Sequence, residues 1–353
     1  MASAQVQATP PRISLNWLGL NNVTGYQVWR KVKGGTSWGS PLATLDASAL
    51  SWADNSVSVG VSYEYKIVRS TSNLGYGYSY INAGIDLPMV ESRGKVILLV
   101  DDFFSGPLSS QLNQVQQDLE GDGWSVLRHD VSRYASVPSI KNIIVQDYNV
   151  DPVNTRMVFL LGHIPVPYSG NLAPDGHWEH QGAWSADAFY GDVNGTWTDT
   201  QVYSTGASDP RNRNVPGDGK YDQSNIPSSV ELAVGRVDFS DLPVFSQSET
   251  TLMGNYLTKL HNWKVRAFTA VARGLVDDNF TGMSDAYASN GYRGFSPLVG
   301  QGNVVAQDYF STLSNQSYLW SYGCGGGYWA SANGIGTSSD FATKSVKSVF
   351  SIL

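Results

Sequence analysis

The stretch Lys95-Val-Ile-Leu-Leu-Val-Asp-Asp102 divides the chain into two textures. Its aliphatic run from Val96 to Val100 shows no alternation. A strand with one wet face alternates apolar with polar residues. An unbroken branched run therefore marks a strand covered on both faces, as in a parallel sheet. The run ends on two carboxylates, and ligands of open parallel sheets bind outside the carboxyl ends of the strands.

Downstream, Leu108 to Glu120 places Leu112, Val115 and Leu119 at helical spacing. Trp124-Ser-Val-Leu127 reads as a strand, Ile140 to Gln146 as part of a helix, and Met157-Val-Phe-Leu-Leu161 as a second buried strand. Val230–Val234 and Ala270–Val276 read as strands on either side of a helix from about Ser246 to Asn262. Tyr318–Tyr322 and Ser348–Leu353 complete the pattern. Strands alternating with helices predict an α/β three-layer sandwich with a mainly parallel sheet over 95–353. It carries a long insertion, about 165–229, rich in Gly, Asp, Asn, Pro and aromatics. An ordered connection of that length is usually functional.

Upstream the period changes to two. Ile13-Ser-Leu-Asn-Trp17, Tyr26-Gln-Val-Trp-Arg-Lys-Val32 and Tyr63-Glu-Tyr-Lys-Ile-Val-Arg69 alternate. Turn signals separate them at Lys33-Gly-Gly35, Asp54-Asn55 and Val59-Gly60. This predicts an all-β sandwich over 11–88. A hinge over Asp86–Gly94 joins it to the α/β part, and residues 1–10 read as a mature N-terminus behind a start methionine.

A chain of 353 residues suits two domains. The net charge of −7 and the lack of a Lys/Arg cluster exclude nucleic-acid backbone binding. No apolar run is long enough for a membrane span. The single cysteine forms no internal disulfide, and no Cys/His set has zinc spacing. Low charge with abundant Tyr, Trp, Ser, Thr and Asn points to an extracellular or cell-surface protein.

If the buried strands share one direction, chemically capable residues collect on one rim. These are Asp101 and Asp102, His163, Asp277 and Asp278, and Cys324 flanked by Gly323 and Gly325. Cys324 has two readings: a nucleophile whose neighbouring glycines expose backbone N–H groups, with His163 as base, or a buried small residue in a crowded turn. The acidic pairs either cap the following helices or line a cleft. In the insertion, His177 and His180 suit either a ligand-holding turn or an exposed loop. Asp192, Asn194 and Asp199, with Asp218 and Asp222, have the oxygen-rich spacing of a structural calcium loop. Ordinary Asx-turns are the alternative, and no cofactor is otherwise required.

The first part resembles a fibronectin type III module in Trp17, Gly25–Arg30, Ser51-Trp-Ala-Asp54 and Tyr63-x-Tyr65. Residues 95–353 resemble the caspase-fold peptidase domain of gingipain-type (C25) cysteine peptidases. The resemblance runs through Lys95–Asp101, Phe159-Leu-Leu-Gly-His163, Ser185–Gly191, Glu231-Leu-Ala-Val-Gly-Arg-Val237 with Asp241-Leu-Pro, and Leu319–Gly325. It implies cysteine peptidase chemistry on a protein or peptide substrate. Two departures put that in doubt: Gly323-Cys-Gly325 stands where the family has Gly-His-Gly, and Ser348–Leu353 matches the strand preceding the family's nucleophile. Three readings stay open: a catalytically degenerate or incomplete gingipain-like protein, an active hydrolase using Cys324, and an adhesion module for glycan or protein.

Overall fold

A computed structural model describes residues 2–73, 75–87, 92–174, 176–280 and 287–353. The chain divides into two compact units, one of Val90–Thr269 and one comprising Met1–Met89 with Ala270–Leu353. The single domain expected over 95–353 is therefore interrupted after Thr269. Its strands pair into two separate parallel sheets rather than one.

The N-terminal region holds β1 (Ala2–Gln7), β2 (Arg12–Trp17), β3 (Val23–Val32), β4 (Ala43–Leu45), β5 (Ser51–Asp54), β6 (Ser62–Thr71) and β7 (Tyr76–Gly84). They form antiparallel sheets in the orders β1-β2-β5 and β4-β3-β6-β7. The alternation seen in the sequence is the burial pattern: Ile13, Leu15 and Trp17 from one sheet meet Tyr26, Val28, Tyr63, Tyr65 and Ile67 from the other. Alternation begins at residue 11, yet the sandwich begins at Ala2, because β1 pairs with β2 along its whole length. Part of the expected hinge, residues 88–91, lies outside the described residues.

In Val90–Thr269 the elements are β8 (Gly94–Asp101), α1 (Ser109–Gly121), β9 (Trp124–Val131), α2 (Val137–Val150) and β10 (Thr155–Leu161). After them come the hairpin β11 (Tyr168–Leu172) and β12 (Gly182–Ser185), the short α3 (Ala188–Gly191), β13 (Ala233–Val237) and α4 (Glu249–Lys264). The sheet order is β13-β10-β8-β9, all parallel. Residues Leu98 and Val100 of β8 pack under α1 and α4 with Leu112, Val115, Met253 and Leu257. Ile97 and Leu99 pack on the opposite face with Ile140 and Ile144 of α2 and with Tyr190. Both faces are covered, which is why the opening run needs no polar residue. The apolar run at 230–234 enters the sheet later than expected, since the Glu231 and Leu232 N–H groups both bond to the Gly191 carbonyl.

The C-terminal region holds β14 (Gly274–Asp278), α5 (Tyr287–Val299), β15 (Val304–Ala306), α6 (Tyr309–Leu313) and β16 (Tyr318–Cys324). The short strands β17 (Gly327–Tyr328), β18 (Ser331–Ala332) and β19 (Gly336–Thr337) follow, then α7 (Ser338–Thr343) and β20 (Ser348–Ile352). Its sheet order is β15-β14-β16-β20, again all parallel. Val276 and Cys324 pack toward Phe295 of α5, whereas Leu275 and Tyr318 pack toward Tyr309, Phe310 and Leu313 on the other face. The region thus repeats the layered arrangement of the first parallel sheet on a smaller scale.

Candidate functional site

Each parallel sheet has one topological switch point, where the strand order reverses and a crevice opens at the carboxyl ends. In the first sheet it falls between β8 and β10, and in the second between β14 and β16. The residues singled out from the sequence stand at these two places, on two different sheets. Asp101 ends β8 and His163 stands two residues past β10, while Asp277, Asp278 and Cys324 end β14 and β16. The expected Cys324–His163 pairing therefore has no basis in strand neighbourhood, since the two residues belong to different sheets and different units.

At the first switch point Asp101 is fully buried. Its carboxylate accepts from the backbone N–H of Phe103 at 3.1 Å and of His163 at 3.0 Å. The Arg133 guanidinium also donates to it, through Nε at 3.0 Å and Nη2 at 2.6 Å. Arg133 bridges onward to Glu249 Oε1 at 2.9 Å and covers the Phe103 ring, 4.2 Å from its centroid. Gly162, at φ +98°, lies where a Cβ would collide with Asp101 and Phe104, so only glycine permits this approach. Asp101 also caps the short turn Asp102–Phe104, as the capping reading expects. Asp102 itself is exposed beside it.

His163 is held differently. Its Nδ1 lies 2.8 Å from Asp238 Oδ2 and 2.7 Å from Ser240 Oγ, and its side chain is 41% exposed. Burial opposes the charge on Asp238, but the Ser240 N–H and the imidazole outweigh it and hold the carboxyl below its usual range. With a proton on Nδ1 donated to Asp238, Nε2 carries the basic lone pair. Arg133, Asp238, Ser240 and Glu249 escaped the sequence analysis. For Asp238 a signal was present, because it directly follows the Ala233–Val237 strand, whereas Arg133 stands two residues past the mixed strand β9.

At the second switch point the parallel register sets Asp278 beside Cys324 and Asp277 beside Gly323. Cys324 is 5% exposed, and its Sγ lies 3.6 Å from Asp278 Oδ1, which also accepts from the Phe280 N–H. Asp277 accepts from the Tyr309 N–H at 2.8 Å and from Asn279 Nδ2 at 2.9 Å. Burial, and secondarily the charges of Asp308 and Asp278, raise the Asp277 carboxyl above its usual range. The glycines here permit close packing. A Cβ on Gly323 would meet Ile335 and Leu353, and one on Gly325 would collide with the Asn333 carbonyl. The Cys324 carbonyl accepts from the Asn279 N–H, and the Gly326 carbonyl from the Asn333 N–H. The loop Gly325–Gly336 thus folds back over the strand end.

Asp192, Asp199, Asp218 and Asp222 of the insertion have hydrogen-bond partners within the protein. Among the described residues no group of three or more His, Cys, Asp or Glu side chains is placed to hold a metal. Asp192 is buried and bonds to Trp197 Nε1 and Ser228 Oγ, and Asn194 donates to Glu231 Oε1. Asp199 accepts from the Gly217 and Gly219 N–H groups, and Asp218 from Val215 and Lys220. Asp222 accepts from Thr200, Gln201 and Val202 N–H groups. Burial works against its charge, yet these donors and Thr198 hold its carboxyl at about 2. Asp199, Asp218 and Asp222 thus cap backbone turns. Phe189, Trp197 and Tyr221 pack on one another, while Trp178 and Tyr203 project to solvent. His177 and His180 stack edge to face, 5.6 Å apart. A separate apolar cleft of about 330 Å³ lies between α5 and the β16–β20 strands, lined by Phe295, Leu298, Trp320, Tyr322 and Ile352 with Asn290.

No protein-family model matches the chain, and no curated protein matches it. Among solved structures, the chain is similar to pectate lyase PelI of Erwinia chrysanthemi, with 17% identity, a TM-score of 0.22, and coverage of 29% of this chain and 32% of that one. An Fn3-like protein of Clostridium thermocellum matches at 21% identity and TM-score 0.21, covering 25% of this chain and 90% of that one. A β-1,2-glucanase of Parabacteroides distasonis matches at 20% identity and TM-score 0.19, covering 23% and 11%. The chain spans about a third of the length of the pectate lyase it matches. The architecture is an antiparallel β N-terminal region followed by parallel-sheet α/β regions.

Proposed function

We propose that the chain is a secreted or cell-surface protein in which a fibronectin type III-like module precedes a gingipain-like α/β region that has lost peptidase chemistry. The observation that carries this is the setting of Cys324: the thiol is 5% exposed and faces the Asp278 carboxylate at 3.6 Å. A nucleophilic cysteine needs access and a positive or basic neighbour to become a thiolate. A carboxylate opposes that negative charge. The fold of Gly325–Gly336 back onto the strand end supports the same reading, because the chain beside Cys324 is packed against Asn333.

The test is hydrolysis of a broad peptide library by the full chain and by Cys324→Ala. Neither protein cleaves above background on this reading. Turnover that vanishes in Cys324→Ala overturns it.

A further inference from the structure

We infer that the outer face of the sheet β4-β3-β6-β7 is a binding platform for an extended acidic polysaccharide built of uronate sugars. The inference concerns a different surface from Cys324 and does not depend on that residue's inactivity.

The platform begins with β7. Tyr76, Tyr78 and Tyr80 alternate with partly buried residues and are 67%, 61% and 61% exposed. Tyrosine carries a large apolar body, and an aligned row of such rings on a folded surface marks an interaction site. At the rise of an antiparallel strand the outer two rings stand about 14 Å apart. That row is long enough for an oligosaccharide rather than a single sugar. A pyranose presents a C–H face that stacks on such rings and a rim of hydroxyls that bonds to phenol oxygens.

The rest of the face supplies more rings and one uncompensated cation. The register aligns Trp29 of β3, Lys66 of β6 and Tyr80 of β7 across the sheet. Lys66 Nζ sits 4.2 Å from the Trp29 ring centroid and 5.2 Å from that of Trp38, and Trp38 lies 5.9 Å from Tyr80. Lys31 also approaches Trp38, but it is paired with Glu64. Among the described residues Lys66 has no carboxylate partner. The aromatic face therefore carries a positive charge beside Tyr80, at one end of the tyrosine row, on a chain of net charge −7.

Charge complementarity selects the occupant. In a two-fold contact with a second copy, the same patch meets itself, which sets Lys66 against Lys66. Edge pairing is also disfavoured, because β1 lies alongside β7. Single-stranded nucleic acid stacks on aromatics too, but its phosphates call for several clustered cations. A uronate polymer combines stackable sugar faces with separate carboxylates, so a single ammonium among the rings is enough to select it.

The test titrates the full chain with oligogalacturonate, its fully methyl-esterified form and oligo-dT, following tryptophan fluorescence. Oligogalacturonate is expected to bind, with affinity falling as salt rises. Tyr78→Ala and Tyr80→Ala should each weaken binding by roughly three- to tenfold. Lys66→Gln should remove most of the salt dependence and equalise the acidic and esterified ligands. Tyr203→Ala, on the insertion, is the control that leaves binding unchanged. Exposed tyrosines tolerate truncation without unfolding, and an unchanged melting curve checks this. No binding to oligogalacturonate, equal binding of the esterified form to the unmodified chain, preference for oligo-dT, or affinity that survives the combined Tyr78→Ala/Tyr80→Ala change would each overturn the inference.

Discussion

Arg133→Ala tests the electrostatic keystone of the first parallel sheet. The substitution removes the fork that donates to Asp101 at 2.6 and 3.0 Å and leaves a fully buried carboxylate with the Phe103 and His163 N–H groups. Removing one partner of a buried pair costs about 3–5 kcal/mol, because the other charge stays desolvated. The retained N–H donors place this case at the lower end, at about 3 kcal/mol. Glu249 is on the wetter side of the same guanidinium, with a side chain 19% exposed. Glu249→Gln should therefore cost only about 0.5–1 kcal/mol. Arg133→Lys should recover only part of the loss, since a point charge cannot reproduce the two-pronged geometry. Hydrogen exchange at the Val96–Val100 amides reports the opening of this unit directly. A loss below about 1 kcal/mol for Arg133→Ala, or equal losses for Arg133→Ala and Glu249→Gln, would refute the reasoning, because Asp101 would then not depend on its cation.

Two further outcomes follow from the carboxylates. Asp222→Ala should free the Thr200–Val202 N–H groups and cost about 1–3 kcal/mol, with new proteolytic cleavage near Thr200. Added calcium should leave the melting temperature unchanged, because these acids already cap backbone donors; a rise on calcium addition, reversed by chelator, would contradict this. The folded-state pKa of Asp277 is raised, so the folded protein holds its proton more tightly than the unfolded chain. Its stabilising contribution is present below the usual carboxylate range and is lost as pH rises through the raised value. The stability advantage of the native chain over Asp277→Asn should accordingly shrink as pH rises above the usual carboxylate range, measured by urea unfolding. A growing advantage would reverse the assigned sign.

The strands were more legible in the sequence than their pairing. The run Val96–Val100 announced a doubly covered strand because burial on both faces leaves a plain compositional mark. Nothing comparable records which strands share a sheet. Partners meet through backbone groups common to all residues, so the division into β13-β10-β8-β9 and β15-β14-β16-β20 left no trace in side-chain pattern. The strand-end rule pointed to Asp101, His163, Asp277, Asp278 and Cys324, which stand at or just past strand ends in two sheets, but it was applied unevenly. Applied to Val131 and Val237 as well, it leads to Arg133 and Asp238. Within the Asp192–Asp199 stretch, Asp199 accepts from backbone N–H groups and Asp192 from side chains, partners that the spacing alone does not reveal. Gly325 lets the chain approach Asn333, a contact that no local pattern reveals.

The central claim is that the lone thiol is a packed side chain and not an attacking group. The rate at which iodoacetamide alkylates Cys324 between about pH 6 and 9, in the folded chain and in urea, measures this most directly. The account predicts a folded-state rate at least about 100-fold below the unfolded rate at every pH, because reaction must wait for opening of the strand end. Folded-state alkylation at neutral pH that equals or exceeds the unfolded rate would contradict it.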